Sequence, residues 1–136
     1  MQNTKLQNLT ILVVEDEDRN WYLLRELIEM WEGNAIWAES GMQAIEIVKN
    51  NPSVDIVLMD LNLPFMSGIE TTKRIKSIRE DLPVIAQTAY AEHNLLNNCM
   101  NAGCSSYILK PIEIPFLKKV LLREASAIMK APQQLD

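Results

Sequence analysis

The chain has 136 residues, 48% hydrophobic and 23% charged. This is the balance of one globular domain whose core is large enough to need no disulfide or metal staple. Its formal net charge of −5, with 13 scattered Lys and Arg residues, argues against nucleic acid, whose phosphates call for clustered cations. Cys99 and Cys104 have no second pair to complete a zinc framework; they read as free buried thiols of a reducing compartment, with a disulfide between them the alternative. No signal-like opening and no apolar run near ~20 residues occurs, so a cytoplasmic chain without direct membrane contact is expected.

Strand and helix signals alternate from end to end. Met1–Leu9 is polar and reads as a flexible segment or linker ahead of a domain spanning residues 10–130. Thr10–Val14 is a short apolar run of the kind that forms a buried parallel strand. Asp18–Trp31 carries Leu24, Leu27, Ile28 and Trp31 at helical spacing, and Gly33 stops it. Asn34–Ala38 reads as a second strand, and Ser40 caps a helix through about Lys49 that carries Met42, Ile45 and Val48. After the breaker Asn51-Pro52, Asp55–Met59 is the third strand. A loop with Pro64 and Gly68 leads to a helix ending near Arg79, with Ile69, Thr72, Ile75 and Ile78 inward.

Pro83–Gln87 is the fourth strand, and a short helix follows from about Glu92 to Ala102, ending at Gly103. Ser106–Leu109 is the fifth strand, whose apolar run likewise reads as buried. Glu113 to about Met129 is the last helix, with Phe116, Val120, Leu121 and Ile128 inward; residues 131–136 read as a polar tail. Strict alternation implies an α/β domain with a parallel sheet and helices on both faces. Propensity alone leaves the strand order open.

Function-bearing residue types sit where these runs end. Glu15 and Asp16 follow the first strand, Asp60 the third, Thr88 the fourth and Lys110 the fifth. In an open α/β sheet, ligands bind outside the carboxyl ends of the strands, so these groups converge if all runs join one sheet. Clustered carboxylates repel, and a hard divalent cation such as Mg²⁺ relieves that repulsion. A carboxylate can also act as a nucleophile toward phosphorus. Asp60 is then the acceptor, Lys110 a point charge on one phosphoryl oxygen, Thr88 a hydroxyl donor to another, and the Ala89 backbone N–H a donor to the third. Singly, each residue has a plain alternative: Asp16 or Asp18 could cap the first helix, and a lysine at a strand end is commonly just solvated.

Four segments together carry a resemblance: Val14-Glu15-Asp16-Glu17, Met59-Asp60-Leu61-Asn62-Leu63-Pro64-Phe65-Met66-Ser67-Gly68, Gln87-Thr88-Ala89-Tyr90-Ala91, and Tyr107-Ile108-Leu109-Lys110-Pro111. In this order and separation they resemble the receiver domain of two-component response regulators over roughly Leu9 to Met129. The resemblance implies a flavodoxin-like receiver fold, a five-stranded parallel sheet in order 2-1-3-4-5. It implies Asp60 as phosphoacceptor, taking its group from a phosphohistidine of a histidine kinase or histidine phosphotransfer protein. It further implies Mg²⁺ held by Glu15, Asp16, Asp60 and the carbonyl of Asn62, phosphoryl contacts from Thr88, Ala89 and Lys110, a Thr88–Tyr107 switch, and a cis peptide before Pro111. The changed surface lies around the fourth helix, fifth strand and last helix.

Glu15 stands where Asp is commoner in the family, and its extra methylene suggests contact with the metal through water. Gln87 replaces an apolar residue. The Thr-Ala-Tyr-Ala wording and Asn20 resemble receivers appended to hybrid sensor kinases, with a free-standing regulator the alternative. His93, the sole histidine, reads as a surface residue at a helix start. Trp21 reads as core, with partial exposure expected of Trp21 or Tyr22. Tyr90 either covers the phosphoryl site or lies on the surface.

Two other classes fit less well. An aspartyl phosphatase usually carries a general-acid Asp two residues after the nucleophile, where Asn62 stands. A flavin module wants a phosphate loop after the first strand, where Glu15-Asp16-Glu17-Asp18 repels phosphate.

Overall fold

The computed structural model describes residues 4–130, so the tail expected at 131–136 lies outside the described residues. Ten elements alternate in chain order: β1 (Thr10–Val14), α1 (Asp18–Met30), β2 (Asn34–Ala38), α2 (Gly41–Asn50), β3 (Val54–Asp60), α3 (Gly68–Ile78), β4 (Val84–Thr88), α4 (His93–Asn101), β5 (Ser106–Leu109) and α5 (Ile114–Lys130). All strand pairings are parallel, in the order β2-β1-β3-β4-β5, the order that the resemblance implies.

Alternating strand side chains divide the core into two layers. Ile11, Val13, Ile56, Leu58, Ile85 and Ile108 meet α1 and α5. Leu12, Val14, Val57, Met59, Val84 and Ala86 meet α2, α3 and Cys99 of α4. The three central strands are buried on both faces, as their unbroken apolar runs require. The two edge strands are not. β5 buries Ile108 against the α1/α5 layer but leaves Tyr107 and Leu109 exposed, which corrects the expectation of a fully buried fifth strand.

Two further expectations are corrected. Phe116 is exposed because the inward stripe of α5 runs one residue later, through Leu117, Val120, Leu121 and Ala125. Ile78 is exposed at the last turn of α3, past the reach of the core that holds Ile75. Within Met1–Leu9, expected as a flexible segment or linker and with residues 1–3 outside the described residues, two positions are tied to the chain just after α1. Leu6 is fully buried, its N–H donates to Trp31 O at 2.7 Å, and Asn8 N–H donates to Glu32 O at 2.8 Å.

Local chemistry sets the helix ends. Ser40 Oγ accepts from Gln43 N–H at 3.2 Å to cap α2, and Ser67 Oγ accepts from Glu70 N–H at 3.1 Å to cap α3. At α1 neither Asp16 nor Asp18 caps; Glu17 occupies the cap position without a side-chain hydrogen bond. The helix closes with Gly33 N–H donating to Ile28 O at 2.8 Å and Glu32 N–H to Glu29 O at 2.9 Å, the paired bonds of a Schellman motif.

The left-handed residue of that motif is Glu32, at φ 62°, rather than a glycine. Gly33 is required for space instead: a Cβ there would lie 2.8 Å from Leu6 Cδ1. Glu32→Gly therefore removes left-handed strain at the loss of an exposed Lys5–Glu32 pair. It is expected to raise stability by about 0.5–1 kcal/mol in denaturant unfolding.

Candidate functional site

The site is assembled by strand register. β1 and β3 pair Val14 with Met59, which makes Glu15 and Asp60 neighbours just beyond the last paired residues. Asp60 is itself the final residue of β3, one place later than the sequence suggests, and it pairs across with Gln87 of β4. Lys110 follows β5 directly. Glu15 and Asp60 are buried and Asp16 is exposed, and one carboxylate oxygen from each lies within 4.8 Å of the others. Lys110 Nζ donates to Asp60 Oδ2 at 3.2 Å and stands 3.8 Å from Glu15 Oε1. The Asn62 N–H donates to Asp60 Oδ1 at 2.9 Å, so both oxygens of Asp60 are oriented.

Close backbone approach supports this arrangement. Gly68 begins α3 directly over the end of β3, its N–H donating to Leu61 O at 3.2 Å. A Cβ there would collide with Asp60 O and lie 2.7 Å from Leu61 Cα. Glycine at that position is thus a condition for placing Asp60. Trp37 of β2 holds the other side: its Nε1–H donates to Glu15 O at 2.7 Å, and its ring stacks on Trp21 of α1 at 5.3 Å.

The remaining residues singled out from sequence lie around this cluster. Thr88 ends β4 fully buried, and its hydroxyl oxygen accepts from the Tyr90 N–H at 3.1 Å, within its own loop. The Lys110 backbone N–H donates to Thr88 O at 2.8 Å, but among the described residues no side-chain hydrogen bond joins Thr88 or Ala89 to Asp60 or Lys110. Tyr107 stands on the exposed side of β5, and the Lys110–Pro111 peptide is cis. Tyr90 is exposed, Tyr22 is exposed, and Trp21 is buried. His93 opens α4 at the surface, 3.1 Å from Asn97 Nδ2. Cys99 and Cys104 are free and buried.

The Trp37–Glu15 contact is absent from the expectations drawn from sequence. An indole N–H in an otherwise apolar edge strand was the available signal, since a half-buried Trp must place its N–H on some acceptor.

The donor set fits a hard divalent cation. It consists of oxygens alone, and Glu15 Oε1 is buried without a hydrogen-bond partner. Burial, and then the neighbouring Asp60 charge, push the Glu15 carboxyl up from its ordinary 4.5 to about 7, while Lys110 pulls the other way. A folded-state value above the unfolded one means that the folded chain binds the extra proton between these limits. Glu15 therefore contributes stability that is fully present below about 4.5 and is lost as pH rises toward about 7. In unfolding experiments without added divalent cations, stability should fall with rising pH across this window relative to Glu15→Gln. Identical pH profiles would refute the assignment.

Similarities to known proteins agree with this geometry. The family described as the response regulator receiver domain matches residues 11–122. The polar-differentiation response regulator DivK of Brucella ovis is 38% identical over 108 residues, 78% of this chain and 87% of that protein. A cyclic di-GMP phosphodiesterase of Thermotoga maritima is 34% identical over 110 residues, 81% of this chain but 29% of that protein.

Among solved structures, the receiver domain of a sensor histidine kinase from Pseudomonas aeruginosa, with a magnesium ion coordinated in its active site cleft, superposes with a TM-score of 0.81. It is 28% identical, covering 88% of this chain and 98% of that one. A CheY-like receiver domain protein from Methanospirillum hungatei superposes with a TM-score of 0.87 at 22% identity, covering 92% and 99%, a likeness of fold alone.

Proposed function

The chain belongs to the response regulator receiver domain family, and from that premise we propose that it accepts a phosphoryl group on Asp60 from a phosphohistidine of a histidine kinase or histidine phosphotransfer protein. The carrying observation is the meeting of three carboxylates and one ammonium at the carboxyl edge of the sheet, with Lys110 Nζ 3.2 Å from Asp60 Oδ2. In the transfer, an Asp60 carboxylate oxygen forms the new P–O bond as the P–N bond to the imidazole breaks. Mg²⁺ supplies charge neutralisation between carboxylates and phosphoryl oxygens when bound.

Glu15, Asp16 and Asp60 would hold the cation together with the Asn62 carbonyl. The partly buried Lys110 ammonium neutralises a phosphoryl oxygen, and the N–H of Ala89 and the hydroxyl of Thr88 serve the others. The Thr88 hydroxyl accepts from the Tyr90 N–H and donates to the Tyr90 carbonyl at 3.5 Å in this structure, so serving the phosphoryl group as a donor requires its O–H to leave that carbonyl. This movement opens space beside β5 into which the exposed Tyr107 ring can turn. The face of α4, β5 and α5 then differs between the two states, and a partner that prefers one of them shifts the population.

This is a signalling switch rather than a metabolic enzyme, since Asn62 stands where an aspartyl phosphatase needs its acid. A cytoplasmic setting is part of the proposal, as a free-standing regulator or as the receiver of a hybrid kinase. Among the described residues no helix is long and apolar enough to cross a membrane.

Incubation with acetyl phosphate and Mg²⁺, followed by intact mass measurement, should show a gain of one phosphate that is absent in Asp60→Asn. No gain by the unaltered chain would overturn the reading.

A further inference from the structure

Gln87 is the register partner of Asp60 on β4. Strand alternation puts it on the face of Ile85, toward α1 and α5. There it lines a cavity of about 260 Å³ together with Glu15, Asn20, Leu24, Lys110 and Ile112. Gln87 is fully buried, yet neither its Oε1 nor its Nε2 has a hydrogen-bond partner. Glu15 Oε1, on the same cavity, also lacks one.

A buried amide left unpaired carries its full desolvation penalty, which an apolar side chain of equal size would avoid. The amide offers one donor side and one acceptor side. Its neighbours are complementary: a carboxylate oxygen without a donor, and an ammonium that has given one N–H to Asp60 and has others left. The cavity is polar at this end and large enough for ordered water.

We propose that Gln87 is a positioning residue of the aspartyl pocket. Across the cavity, through one ordered water, its N–H is linked to Glu15 Oε1 and its carbonyl to Lys110 Nζ. This link holds carboxylate and ammonium in the geometry that receives a divalent cation and a phosphoryl oxygen. The inference rests on the cation and phosphoryl reading given above, and it adds a residue that touches neither the cation nor the phosphoryl group.

The test is a Mg²⁺ titration followed by tryptophan fluorescence. Trp37 is bonded to the Glu15 carbonyl and stacked on Trp21, so it reports on this end of β1 without any phosphorylation assay. Gln87→Met keeps the length of the side chain and removes both amide atoms. It should bind Mg²⁺ about tenfold more weakly, the scale for losing a support of a metal ligand. Its denaturant midpoint should stay at or above that of the unaltered chain, because a buried polar group has been removed. Gln87→Asn returns an amide that water can extend, and should recover most of the affinity. Gln87→Leu gives the same comparison if the Met variant does not fold.

Equal Mg²⁺ affinity in the unaltered chain and the apolar variants would overturn the proposal. So would weakened binding matched by an equal loss of stability in the apolar and Asn variants alike. An unaltered chain that is phosphorylated on Asp60 yet gives equal titrations in all variants removes this inference alone. One that neither responds to Mg²⁺ nor gains phosphate removes the underlying reading, and this inference with it.

Discussion

Two buried carboxylates side by side on adjacent strands are the constraint from which the rest of the site follows. Glu15 and Asp60 adjoin because β1 and β3 are central neighbours in the sheet, paired Val14 to Met59. Like charges in a dry place repel and raise the proton affinity of at least one of them, and Glu15 carries that burden. The partial remedy within the chain is Lys110, which comes from β5 and reaches past β4 to stand 3.2 Å from Asp60 Oδ2. One ammonium cannot balance three acids, so the cluster keeps an affinity for a further positive charge. A site built to be satisfied by the chain alone would have had a second cation or fewer acids.

The geometry around this cluster depends on steric economy as much as on charge. Gly68 lets the first turn of α3 settle against Asp60 and Leu61, and the Asn62 N–H steers Asp60 Oδ1. Trp37 fixes the main chain at Glu15. Each contact removes a rotational freedom that the acids would otherwise use to move apart, which is how a strained arrangement is kept in place.

Much of the fold was legible because buried parallel strands and amphipathic helices have distinct periods. The apolar runs ending at Val14, Met59 and Ala86 became the three central strands, and the Leu24–Leu27–Ile28 stripe became the inner face of α1. The acids, Thr88 and Lys110 were legible because each stands at the end of such a run. What periodicity could not supply was set by neighbours. Strand order came from resemblance to a family. The half-exposed β5 reflects an edge position, Phe116 a one-residue rotation of α5, and Ile78 the place where α3 runs out of core. Glu32 in a left-handed conformation shows tertiary context overriding preference, for its backbone receives the Asn8 N–H. The burial of Gln87 is likewise a matter of what packs above β4, which no local pattern encodes.

The central sheet divides the interior into two compartments that share no side chains. Gln87 faces the compartment of α1 and α5, whereas Thr88, the next residue, faces the compartment of α2, α3 and α4. As along all the central strands, a single step of backbone joins the two layers, and here that step carries the register partner of Asp60 and the hydroxyl residue of the site. The carboxyl end of β4 thus sets two consecutive side chains on opposite sides of the sheet within reach of one pocket.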